Sequence, residues 1–158
     1  MPKNKSKESS IKVRGFFRGQ LVNPDGSIAG DTGWIKNKAT NAGLINLANL
    51  VGKVAGSYAV GYAALGTQTA AVNMSQTDIS GQTNSFIAVT PSVSGTATLQ
   101  LTAQFASSDL AASCAVGVAG LYKTNSAGSL IACQIFTTSA WAVNQDFNLT
   151  YNLIFSTA

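Results

Sequence analysis

A chain of 158 residues suits one domain and is long enough to bury a core of its own. Only 10% of it is charged, against roughly 25% in ordinary soluble domains, and Gly, Ala, Ser, Thr and Asn fill the difference. It contains no histidine, which excludes the usual nucleophile triads and most zinc sites.

The charge is unevenly placed. Residues 1–53 carry nine Lys/Arg and three Asp/Glu, whereas residues 54–158 carry Lys123 against Asp78, Asp109 and Asp146. The basic character thus belongs to the N-terminal third. Residues 1–10 have no apolar periodicity and are expected to be disordered on their own. Lys3, Lys5 and Lys7 are candidates for docking on a neighbouring subunit. Nucleic acid is the weaker use for them, because no aromatic interleaves the charges. No apolar run of the kind a signal peptide needs follows the lysines.

Residues 11 to 22 predict a strand, Asn23-Pro24-Asp25-Gly26 a type I turn, and residues 27 to 36 the partner strand. Gly15, Gly19, Gly30 and Gly33 predict bulges. Trp34 is suited to anchoring the sheet to the helix that follows. Leu44, Leu47, Ala48 and Val51 recur at i, i+3, i+4 and i+7, which predicts a helix burying that face. Thr40 or Asn41 can cap its start. Gly52 can end it in the left-handed conformation, with Lys53 beside the negative end of the dipole. Residues 58 to 65 predict a small-residue strand. The uncharged run from Val54 to Thr77 is too rich in Ala, Gly and polar residues for a membrane span.

Residues 66 to 83 form a long polar stretch, and such loops in compact domains are usually functional or disordered. Gln68, Asn73, Gln76 and Asp78 are its candidate contact residues. Strands follow at 84 to 90, stopped by Pro91, then at 96 to 105, 112 to 123, 129 to 137 and 146 to 155. Leu99, Leu101, Ala103 and Phe105 alternate, as do Phe147, Leu149, Tyr151, Leu153 and Phe155, so each strand buries one face. Asn125 to Gly128 make a hairpin turn. If Lys123 faces Ser129, Cys133 faces Ala119 and Cys114 lies five residues on, about 16 Å away and too far for a disulfide. Both cysteines are expected to be buried thiols. Trp141, in the loop from 139 to 146, is the best candidate for an exposed aromatic. The fold expected is mainly β, an antiparallel β-sandwich with one inserted α-helix over residues 11–158.

No chemistry emerges. The six acids, Glu8, Asp25, Asp31, Asp78, Asp109 and Asp146, show no spacing for acid–base work. The glycine-rich segments lack the lysine and the strand–helix context of a phosphate loop. No catalytic, cofactor-binding or metal site is expected, and no cofactor.

One resemblance does emerge. Asn37, Asn41-Ala42-Gly43-Leu44, an apolar helix and Tyr62-Ala63-Ala64-Leu65-Gly66-Thr67 come in an order similar to that of tailed-bacteriophage virion proteins. Gly120-Leu121-Tyr122 before a turn, Leu130-Ile131-Ala132 and the closing Leu149–Phe155 alternation extend the likeness over about residues 35 to 156. Two positions depart from it. Gln68 stands where a second glycine is usual, and Ile79-Ser80-Gly81-Gln82 stands where a charged Glu/Arg pair is usual. The resemblance implies a structural virion protein, made in the host cytoplasm. It would act by self-association and by binding neighbouring virion subunits, whether in head decoration, tail or fibre base. A surface so poor in charge fits being covered by other subunits. The alternative is a carbohydrate-binding host-adhesion module using Trp141, Tyr58 or Tyr62.

Overall fold

In the computed structural model, which describes residues 11–55, 59–83, 85–109 and 112–157, the chain order is as follows. β1 (Ile11–Val22), β2 (Ile28–Asp31), β3 (Ile35–Lys36) and β4 (Lys38–Ala39) precede the helix α1 (Asn41–Val51). After it come β5 (Tyr62–Gly66), β6 (Ile87–Ala88), β7 (Thr90–Ser94), β8 (Thr98–Phe105), β9 (Cys114–Tyr122), β10 (Leu130–Trp141) and β11 (Asp146–Thr157). The expected disordered tail with Lys3, Lys5 and Lys7, and the Tyr58 start of the predicted strand, lie outside the described residues.

The strands pair antiparallel in two sheets, β2-β1-β11-β8-β7 with β3 also on β1, and β4-β10-β9-β5-β6. This is the expected antiparallel β-sandwich with one helix. Period-two patterning places the core. Phe17 and Leu21 of β1, Leu101, Ala103 and Phe105 of β8, and Phe147, Leu149 and Tyr151 of β11 all face inward. They meet Ala63, Leu65, Val116, Ala119, Leu121 and Trp141 of the second sheet.

The β1 glycines do not make bulges. β1 and β11 pair without a shift from Ile11 opposite Thr157 to Val22 opposite Asp146. A Cβ at Gly19 would run into the Phe147 ring, and one at Gly15 into Asn37 and the Tyr151 hydroxyl. These glycines make room for aromatics of the neighbouring strand. The irregularity that does occur lies between Leu21 and Val22, where β1 meets β2. Pro91 does not stop a strand either. It sits inside β7, an edge strand of the first sheet, where a missing N–H costs no ladder bond.

β9 departs from alternation, since every residue from Val116 to Tyr122 is buried. Its inner face joins the main core. Its outer face joins a second, smaller cluster of Ala64, Val72, Ile79, Val118, Tyr122, Leu130 and Cys133, with Val72 and Ile79 coming from the segment 67–83. The stretch expected to be a polar loop is therefore also a lid over the outside of the second sheet.

The helix has the expected period but a different phase. Gly43 is its buried residue, Leu47 is half-buried, and Leu44, Ala48 and Val51 are exposed. The inward side is thus centred on Gly43, Asn46 and Leu47, one residue back from the predicted stripe, with Leu50 38% exposed at its end. The cause is a close backbone approach, because a Cβ at Gly43 would fall inside the Ile131 carbonyl of β10. Thr40, not Asn41, is the N-cap, and its Oγ1 accepts from Gly43 N–H at 3.0 Å. The same hydroxyl lies 3.0 and 2.9 Å from the Leu130 and Ile131 carbonyls, to which it can donate. At the other end Gly52 stays right-handed at φ −78°, and Lys53 takes the left-handed position at φ 51°. Bonds from Lys53 N–H to Leu50 O and from Val54 N–H to Asn49 O close a Schellman motif.

Trp34 does not anchor the sheet to the helix. It is 47% exposed and carries the Arg18 guanidinium 5.9 Å from its ring centroid, while Arg18 pairs with Asp31. Arg18 alternates outward on β1, and Trp34 stays with it on the solvent side.

The cysteines are free, as their spacing implied. A register shift between Leu130 and Ala132 sets Cys133 opposite Gly120, and Cys114 faces Trp141. Cys133 is buried and Cys114 half-buried. Burial pushes the Cys133 thiol up to about 12, and does the same to the Tyr151 hydroxyl. Folding therefore favours the protonated forms. Their contribution is whole below the unfolded thiol value of about 8.5 and is lost as pH rises through 12. The urea midpoint is expected to be flat up to about pH 8.5 and to fall above it, by up to about 1.4 kcal/mol per pH unit for each group. In native protein at pH 8, a thiol reagent should label Cys133 far more slowly than Cys114. Equal rates would show that the second cluster is open to solvent.

Candidate functional site

Three surfaces compete for a functional role, and each can be built from its residues. The first is the segment 67–83. Gln76 Nε2 donates to Gln68 Oε1 at 2.8 Å and to the Asp78 carbonyl at 2.6 Å, and Ser80 N–H donates to the same Gln68 oxygen at 3.1 Å. Asp78 Oδ1 accepts from the Tyr122 hydroxyl at 2.7 Å and from Ile79 N–H at 2.9 Å. Asn73 Oδ1 caps Ser75. The structure thus brings Gln68, Gln76 and Asp78 together, with their polar atoms spent on holding the segment down. Burial first, and then the neighbouring Asp78, raise the Tyr122 hydroxyl far above its ordinary value, so it stays a donor.

A consequence can be measured. Tyr122→Phe keeps the ring that meets Phe86 edge-on at 4.9 Å but removes the bond to Asp78. Bonds to charged groups contribute about 1.5–3 kcal/mol. Amide exchange at residues 77–80 is expected to accelerate while β1 and β11 keep their protection. Unchanged exchange there would mean that the hydroxyl does not hold the segment.

The second surface was to be an exposed aromatic. Trp141 is instead fully buried, at 0% exposure. β10 runs past the expected stop at Thr137 by way of a register shift between Ile135 and Ser139, and Trp141 is its last residue. The ring lies against Phe105 and Phe147, and Nε1 donates to the Gln145 carbonyl at 2.7 Å. It cannot stack on a sugar. Tyr62 is half-buried against the second cluster.

The third surface is the outer face of α1, where Leu44, Ala48 and Val51 of the predicted buried stripe lie exposed beside Ile45. Leu44 is 49% exposed, Ile45 63% and Val51 84%, with Ala48 between them on the same face. Met74 adjoins at the start of the helix, where its carbonyl accepts from Asn41 N–H, and Val54 adjoins at the end. Beneath the helix lies a cavity of about 160 Å³, lined by Leu47, Leu50, Leu99, Leu121 and Leu153 among others from both sheets, with the half-exposed Leu44 at its rim. The helix therefore closes one end of the sandwich loosely and turns apolar side chains outward. Contiguous exposed apolar patches mark contact sites.

Among the described residues, no group of three or more His, Cys, Asp or Glu is placed to hold a metal ion, and no helix is long and apolar enough to cross a membrane. Comparison with family models, with curated proteins and with solved structures gives no match.

Proposed function

We propose that this chain is a structural virion protein of a tailed bacteriophage, acting by self-association and by binding neighbouring virion subunits rather than by catalysis. The observation that carries the reading is the uncovered apolar face of α1, with Leu44, Ile45 and Val51 turned outward. A low-charge surface supports it, because charge is what ordinarily keeps a domain apart from its neighbours. The likeness running from Asn37 to Phe155 supplies the virion class. Burial of Trp141 removes the residue on which a glycan-binding reading chiefly rested.

Light scattering of the purified chain at tens of micromolar should give a mass above the monomer's 16.2 kDa. An antibody raised against it should label purified particles in negative-stain microscopy. A well-folded monomer at that concentration would remove the self-association half of the reading. Particles that carry none of the protein would remove the virion half.

A further inference from the structure

The sandwich has two ends of opposite sign. β1 and β11 fix the axis, since Ile11 pairs with Thr157 at one end and Val22 with Asp146 at the other. At about 3.3 Å per residue the two ends of β1 lie on the order of 35 Å apart. The helix end holds α1, the start of β1 and the β9–β10 hairpin. Lys12, Arg14, Lys38, Lys53 and Lys123 are exposed there. The turn end holds Asp25, Asp109 and Asp146. Asp25 is tied only to its own turn through Ser27, and Asp109 and Asp146 accept from the Ala106 and Ser107 N–H groups.

Among the described residues, the one ion pair is Arg18 with Asp31, midway along the first sheet, so none of these charges forms an ion pair with another described side chain. Asp78 lies beside the β9–β10 hairpin and is bonded to Tyr122. Screening acts over about 8 Å at physiological salt, so the two poles cannot neutralise each other within one molecule. Each end also exposes apolar side chains, Ile11, Leu44, Ile45 and Val51 at the helix end and Ile28 and Val143 at the turn end.

Resting on the self-association proposed above, we infer that copies join head to tail, the cationic helix end of one copy seating on the Asp25, Asp109 and Asp146 end of the next. A symmetric contact between two helix ends would set like charges together and be repelled. A head-to-tail contact pairs opposite signs and covers the face of α1. Such a heterologous contact closes into a ring if its rotation allows, and otherwise extends.

The test uses the full chain and two sets of exposed substitutions. Lys12→Glu, Arg14→Glu and Lys53→Asp turn the helix end acidic. Asp25→Lys, Ser108→Lys, Val143→Lys and Asn144→Lys turn the other end cationic and spare Asp109 and Asp146. By sedimentation the parent protein should be multimeric at low salt, its mass falling toward 16.2 kDa as salt rises. Each set alone should stay at 16.2 kDa. An equimolar mixture of the two should recover the multimer, because every junction then pairs opposite signs again. The single variants Arg14→Glu and Asn144→Lys should each weaken association about tenfold or more, which keeps the test informative if a multiple variant misfolds.

A parent protein that is monomeric at every salt concentration would overturn the self-association reading and this inference together. A multimer indifferent to both sets, or one broken by the helix-end set alone, would overturn the head-to-tail contact and leave self-association standing. Two monomeric sets, each folded, that fail to recover on mixing would overturn it as well.

Discussion

Replacing Gly43 by alanine is expected to detach the helix from the sandwich. By helix propensity alone the change should help, since alanine is favoured over glycine by about 0.8–1 kcal/mol in a helix interior. Packing decides otherwise. The new methyl would overlap the Ile131 carbonyl, whose carbon lies 2.8 Å from the Cβ position. That obstacle is backbone, and the same carbonyl already accepts from Thr40 N–H at 3.0 Å. Either the helix moves off and loses the Thr40 bonds, or β10 shifts. Overpacking of this kind costs about 1–3 kcal/mol and sometimes more, and an 11-residue helix does not hold itself together in water. Gly52 is the control. It is right-handed, with 3.5 Å to its nearest neighbours, so Gly52→Ala should be neutral or stabilising by about 0.4–1 kcal/mol. Urea midpoints and amide exchange over residues 41–51 read both. A Gly43→Ala protein as stable as its parent would show that the helix can seat without the close approach.

The helix also shows where reading the sequence stops. Its period was legible, because Leu44, Leu47, Ala48 and Val51 repeat at helical spacing. Its phase was not, because the inward face is set by a missing side chain at Gly43, and hydrophobic patterning cannot register an absence. The strands β1, β8 and β11 were legible because each buries one face and alternates. β9 was placed correctly, yet the meaning of its unbroken apolar run was missed. Continuous burial from Val116 to Tyr122 implies cover on both faces, and that cover could only come from a neighbouring segment such as 67–83. Trp141 lies past Thr137, where the sequence pattern predicts the strand to stop. A register shift that carries the strand onward leaves no mark in composition. The candidate contact surface inherits the phase error, since Leu44, Ala48 and Val51, predicted to be buried, are residues the protein exposes.

Trp141→Ala should cost about 3–5 kcal/mol, the range for emptying a buried aromatic site, against a total stability of about 5–15 kcal/mol for a domain. The ring is fully buried and is held between Phe105, at 6.4 Å, and Phe147, at 6.0 Å, centroid to centroid. Phe147 also meets Phe136 at 6.1 Å, and its ring fills the space that Gly19 leaves, so the vacated volume borders a cluster spanning both sheets. Alanine also leaves the Gln145 carbonyl without the indole N–H that reaches it at 2.7 Å. Trp141→Phe separates the two effects, since it restores most of the volume and drops only the bond, so about 1–3 kcal/mol should be lost. The ordering decides between two roles for this residue. A platform for a ligand would be lost without cost to folding, whereas a core residue takes much of the fold's stability with it. Urea unfolding with an unchanged slope and a midpoint falling in the order parent, phenylalanine, alanine is the expected result. An alanine variant with the parent midpoint would return Trp141 to the surface and reopen the glycan-binding role.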